Sequence, residues 1–314
     1  MLDYHLHLWP HGEGPTEPLV EQVAAYCEAA ARVGVVEVAL TEHLFRFVQA
    51  DALLRGWWEG DPDTAMAAGV ETYWDRHQGA DLDRYVEVGL AARREGLPVR
   101  LGLEVDYYPG RMDKVAGLLA GYPFDVLLGS VHWLGTWMFD DLSDARAMAE
   151  WDIRGAEWAW AAYTEALCEL ASTGTCDVLA HPDLAKVTGR RPARPLELYD
   201  RMAEAAASSS MAAEVSSAGW RKPAAEAYPA PDLLARFCAL GVPITTASDA
   251  HRLGDVGDRM RDLRPLVDAA GYRELATFDS RRRGSLELAA PGPPPALAPP
   301  ERAPAGGTAT GQLA

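Results

Sequence analysis

Residues 2–8 read Leu2-Asp3-Tyr4-His5-Leu6-His7-Leu8. A strand turns alternate side chains to opposite faces, so His5 and His7 share one face and form half of a metal site. A His-x-His pair alone has little specificity. Its weight comes from recurrence, because six further short apolar runs, at 35–41, 99–105, 125–131, 177–180, 212–215 and 243–247, also end at or just before polar residues. These runs are often β-branched and apolar on consecutive positions, as parallel strands buried on both faces require.

Between the runs lie amphipathic helical patterns at 17–33, 81–95, 143–171, 195–208, 231–240 and 255–270. In the first, Leu19, Val23, Cys27 and Ala31 recur every four residues. Gly34, Gly96, Gly174 and Gly241 stand where helices should stop. Strand and helix alternating in this way predict an α/β protein with a parallel sheet, either closed or doubly wound. The polar strand ends decide between the two. His5 and His7, Glu42-His43, Glu104 and Asp106, His132, His181 and Asp183, Ser216 with Arg221 and Lys222, and Asp249 with His251 follow the seven runs in order. An open sheet gathers such ends only near a switch point, whereas a closed barrel presents them all at one mouth.

Composition sets the outer limits. The 314 residues carry 29 Lys+Arg against 46 Asp+Glu, a net charge of −17, which argues against partnership with nucleic acid or an anionic membrane. With 48% hydrophobic residues the chain can bury a full core. The start lacks a basic segment followed by an apolar one, and no window reads as a membrane span, so a soluble cytoplasmic protein is expected. Cys27, Cys168, Cys176 and Cys238 are far apart without a CxxC pair and read as reduced. The barrel is expected over 1–288, and the proline- and glycine-rich stretch 289–314 reads as a disordered tail. Residues 44–80, with Phe45, Phe47, Trp57, Trp58 and Trp74, are long for a loop and read as an insertion over the mouth. That insertion is either a lid or oligomer contact, or a small satellite core.

Of the eight histidines, His5, His7, His11, His43, His132, His181 and His251 fall at or just beyond strand ends; His77 reads as a surface or insertion residue. Glu104 and Asp249 add hard anionic ligands, and a carboxylate can bridge two cations where imidazole cannot. Seven imidazoles and two carboxylates exceed what one four-coordinate zinc uses, so the count favours two or three divalent ions, Zn, Fe or Mn. Arg221, Lys222 and Lys186 are candidate phosphate holders. Asp106 and Asp183 are candidates to orient ligands or to bind a substrate amine.

The segments DYHLHL, LTEH, GLEVDYYPG, PFDVLLGSVHWLG, CDVLAHPDLAK, EVSSAGWRKPAAEAYPAP and GVPITTASDAHRLGDVG occur in this order over about 1–285. In them the chain resembles the polymerase and histidinol phosphatase (PHP) superfamily, and through SSAGWRKP…YPAP its histidinol-phosphatase branch. The resemblance implies a distorted (β/α)7 TIM-like barrel with a trinuclear site. His5, His7, Glu104 and Asp249 would hold the first ion. Glu104 would bridge to the second, completed by His132 and His181, and His11, His43 and His251 would hold the third. Only Leu-Trp-Pro separates His7 from His11, a short loop for the family, and Glu13 is the alternative ligand. The implied activity is hydrolysis of L-histidinol phosphate by a metal-bridging hydroxide, with Glu104, Asp249, His251 and Arg221 as the catalytic group. The nearest alternative is a phosphoesterase for another small phosphate or a phosphodiester, its larger ring stacked on the insertion's tryptophans. An amidohydrolase would want a lysine at a strand end, and a regulatory module would have lost ligands; neither pattern is present.

Overall fold

Consecutive burial of every residue in Leu2–Leu6 follows from its place in the wall of a barrel, where one face meets the interior and the other meets helices. The computed structural model describes residues 1–289, so the tail expected over 289–314 falls, but for its first residue, outside the described residues. Seven parallel strands run in sequence order: β1 Leu2–Leu6, β2 Glu37–His43, β3 Val99–Asp106, β4 Val126–Ser130, β5 Val178–Leu179, β6 Ala212–Ser216 and β7 Ile244–Ala247. All seven expected runs are strands, their ends displaced by up to two residues.

The helices are α1 Val20–Arg32, α2 Val48–Leu54, α3 Thr64–His77, α4 Leu82–Arg94, α5 Met112–Leu119, α6 Ala145–Ser172, α7 Pro195–Ser208, α8 Pro231–Ala239 and α9 Met260–Ala270. Gly155 interrupts α6 at φ +78°, a backbone state that L side chains rarely adopt. Helix α5 escaped the periodicity reading because eight residues span barely two turns. A terminal antiparallel hairpin, β8 Glu274–Asp279 with β9 Arg282–Glu287, was not anticipated either. None of the described helices is long and apolar enough to cross a membrane.

The insertion is structured. Trp58 and Trp74 are buried, with ring centroids 5.4 Å apart, and the Trp74 indole donates to Asp51 at 2.6 Å. Its base is closed by Gly79 and Ala80 N–H groups on the Arg46 carbonyl. It therefore forms a satellite core, while Phe45, Tyr73, Arg76 and His77 turn toward the barrel mouth.

The barrel closes between β7 and β1 without a regular ladder. Past the strand ends, the His7 N–H donates to the Ala250 carbonyl at 2.8 Å. Side chains do the rest. Thr246 donates its hydroxyl to the Leu2 carbonyl at 2.6 Å, and fully buried Asp3 accepts the Ser248 N–H and hydroxyl, both at 2.7 Å, and the Gly257 N–H at 3.0 Å. An amide at Asp3 would turn an N–H group against at least one of these donors. Asp3→Asn is expected to cost about 1–3 kcal/mol of stability, read as a lower urea midpoint with an unchanged slope; a wild-type midpoint would contradict this account of the seam.

Candidate metal centre

The candidate ligands are delivered by the ends of six of the seven strands. Residues His5 and His7 come from β1 and the turn after it, His43 from the last position of β2, and Glu104 from near the end of β3. His132 follows β4, His181 follows β5, and Asp249 and His251 follow β7. His181 and Asp249 sit at φ +28° and +51°, and non-glycine residues held in such conformations cluster at functional sites.

Glu104 is the centre of the group. It is buried, and its carboxylate lies 2.9 Å from His43 Nδ1, 3.0 Å from His181 Nε2, 3.2 Å from His5 Nε2, and 3.5 Å from both His7 Nε2 and His132 Nε2. Asp249 Oδ1 lies 3.6 Å from His7 Nε2 and 3.8 Å from His5 Nε2. Three donor groups tight enough for a cation are His5–Glu104–His181, His5–His7–Asp249 and His7–His43–His251; a fourth is His43–Asp106–His132. His11 joins none of these groups, although its ring stacks on His251 at 3.6 Å. Glu13 is exposed, and its carbonyl accepts from Arg46.

The donor chemistry fits divalent cations. Buried ring nitrogens at His5 Nε2, both nitrogens of His7, His43 Nδ1 and His181 Nδ1 have no hydrogen-bond partner, a costly state unless something else satisfies them. The charge pattern agrees. Burial alone would raise the Glu104 and Asp249 carboxyls, but the surrounding imidazoles hold both well below the usual range. Burial and neighbouring imidazoles keep His43 and His251 neutral, as ligation requires. For His5 burial works downward, but Glu214, Glu104 and Asp249 outweigh it and raise the ring. For His132, Asp106 and Glu104 overcome burial and push it up to about 10.

Carboxylates behind the imidazoles fix their orientation. Glu214 Oε2 meets His5 Nδ1 at 2.7 Å, and Asp106 Oδ1 meets His132 Nδ1 at 2.6 Å, each leaving the ring's Nε2 facing Glu104. Glu42 accepts the Leu8 and Trp9 N–H groups at 2.5 and 2.8 Å and faces the buried Arg46, whose guanidinium holds the 8–16 loop through Pro10 and Glu13 carbonyls. Neither Glu214 nor Arg46 was singled out in the sequence. The signal for Glu214 was a lone acid inside the apolar strand AAEVS, a residue that burial tolerates only with a partner.

The expected phosphate holders separate. Lys222 lines the cavity beside the donor cluster. Lys186 does not: fully buried, its ammonium is taken by Asp183 at 2.8 Å, Glu226 at 2.9 Å and the Ala227 carbonyl at 2.6 Å. Asp183 takes that ammonium and the Ala230 N–H on Oδ2, its Oδ1 is buried without a partner, and it does not line the cavity. Arg221 donates to the Ser248 and Asp249 carbonyls at 2.6 and 3.1 Å and pairs with Asp258, so it braces the turn that carries Asp249. His77 does belong to the insertion, but it is buried, accepting the Gly12 N–H at Nε2 and donating from Nδ1 to the Tyr73 carbonyl.

A closed seven-stranded parallel barrel with a histidine- and carboxylate-rich divalent-metal centre at its C-terminal mouth defines the class. The chain belongs to the PHP family, whose domain matches residues 4–218. A relative from Deinococcus radiodurans, named "Probable histidinol-phosphatase", is 32% identical over 288 residues, covering 90% of this chain and 98% of its own. The histidinol phosphate phosphatase of Lactococcus lactis, solved with zinc, L-histidinol and phosphate, shares the fold at a TM-score of 0.64 and 21% identity, over 90% of this chain and 98% of that one.

Because Glu214 orients His5, Glu214→Gln is expected to lower metal affinity about 10–100-fold, measured by competition with a chelator of known affinity. Unchanged affinity would remove Glu214 from the centre.

Proposed function

We propose that the chain is a metal-dependent phosphomonoesterase that converts L-histidinol phosphate and water to L-histidinol and phosphate. His5, His7, Glu104, His132, His181, Asp249 and His251, with His43 and His11 toward the rim, would hold two or three divalent ions of the Zn, Fe or Mn type. The observation that carries the reading is the Glu104-centred donor cluster opening into a cavity of about 340 Å³ lined on its other sides by groups of both charges. The named activity of the Deinococcus relative agrees with it.

Bound divalent ions supply water of lowered pKa and draw charge from the phosphoryl oxygens. The remaining work belongs to side chains. Lys222, which pairs with no carboxylate among the described residues, places a positive charge at the cavity wall for a phosphate oxygen. Asp140, with its Oδ1 buried and unpartnered, faces the same cavity and suits the substrate's ammonium group. Phe45 and Tyr73 give a flat apolar wall for an imidazole ring. Arg221 holds the Asp249 turn, and Asp106 and Glu214 hold the His132 and His5 rings.

A substrate with a larger ring was the competing expectation, through stacking on the insertion's tryptophans. Trp57, Trp58 and Trp74 do not line this cavity, so that support is absent.

The test is phosphate release from histidinol phosphate beside sugar phosphates, nucleotides and phosphodiesters, with elemental analysis of the same sample. Histidinol phosphate is expected to be preferred; preference for a diester or nucleotide would refute the reading. Asp249→Ala is expected to abolish turnover while the fold persists by circular dichroism. Asp140→Asn is expected to raise KM for histidinol phosphate about 10–100-fold while leaving phenyl phosphate, which has no ammonium, within about twofold. Equal losses on both substrates would remove Asp140 from amine recognition.

A further inference from the structure

A second cavity, of about 550 Å³, shares the wall formed by Trp133 with the first. It takes no part in the proposed reaction, and its lining is of a different kind. The rings of Trp57, Trp133, Trp158 and Tyr107 surround it, with the Trp57 ring edge-on to Trp133 at 5.4 Å and 70°. Every charged side chain lining it is a carboxylate, Glu165 and Glu169 among them, and no lysine or arginine does.

These groups select a ligand class. The faces of indole and phenol rings are electron-rich and attract cations. Burial and the hydrogen bond to Glu169 push the Tyr107 phenol up to about 12, and the phenol donates to Glu169 at 2.7 Å. One oxygen of Glu165 is engaged by Arg201. The carboxylates thus add negative potential at a rim whose lining carries no cationic side chain, Arg201 lying outside it. A bare metal ion is not suited, since none of the tight donor groups among the described residues lies in this cavity. The apolar walls favour a weakly hydrated cation over an alkali ion. An indole here already carries such a charge, because the Arg154 guanidinium lies 4.9 Å from the Trp158 ring centre.

We propose that this cavity is a binding site for a small organic ammonium ion, its alkylated nitrogen held among Trp57, Trp133 and Tyr107 with Glu165 and Glu169 at the rim.

The test uses the full chain, loaded with metal, and two probes of one shape: choline, which is charged, and 3,3-dimethylbutan-1-ol, which is not. Calorimetry and tryptophan fluorescence are expected to show one equivalent of choline bound roughly tenfold more tightly than the alcohol. Glu165 and Glu169 are exposed, so the double variant Glu165→Gln/Glu169→Gln keeps the fold; it is expected to reduce the preference for choline severalfold while leaving the alcohol unaffected. Equal binding of the two probes, or choline binding unchanged in the double variant, would overturn the proposal. So would loss of choline binding in Asp140→Asn with both glutamates intact, which would put the cation in the metal-side cavity. Phosphate release is not a readout here, so failure of this proposal and failure of the phosphatase reading are separable.

Discussion

Glu104 is a carboxylate buried among five imidazoles, and that arrangement constrains everything around it. A buried anion needs compensating charge or hydrogen bonds, and lone imidazoles crowded together repel one another once protonated. Divalent cations resolve both demands at once. Five strands must therefore end at the same level, because a ring displaced by one residue along a strand would point through the barrel wall to the opposite face.

Around this group the chain places carboxylates on the outer nitrogens of two rings, Glu214 on His5 and Asp106 on His132. It then anchors the loops that follow the strands. Arg46 holds the loop after β1, and Arg221 holds the turn after β7 through backbone carbonyls. Arg46 donates to main-chain carbonyls and Arg221 to two carbonyls and Asp258, which shapes the mouth, while Lys222 lines the cavity without a carboxylate partner among the described residues.

Most of the barrel was legible in the sequence, since consecutive apolar positions mark strands buried on both faces and the polar residue that follows marks the mouth. The residues that gather around Glu104 were legible for the same reason, whereas His11 joins none of the tight donor groups. The functions of the cations were not. Lys186 and Arg221 both follow strand ends, and only folding shows that Glu226, forty residues on, and the Ser248 carbonyl have already taken their hydrogen bonds. Glu214 looked like any acid in a short strand until β1 set His5 against it. Helices α2 and α5, of seven and eight residues, were hidden by brevity, and the choice between a lid and a satellite core stayed open because aromatic residues fill an interior and line a wall equally well.

The seam between β7 and β1 joins the first barrel strand made to the last barrel strand. On a ribosome, the imidazoles of β1 emerge with neither Asp249 nor His251 available, and the PHP match at residues 4–218 ends before both. The Asp3 carboxylate likewise waits for Ser248. A nascent chain thus carries a partial donor set for most of its synthesis, with Glu104 among its imidazoles but without Asp249 and His251, and those two arrive with the strand that shuts the barrel. Closure and completion of the metal-binding set are one event, timed by chain length.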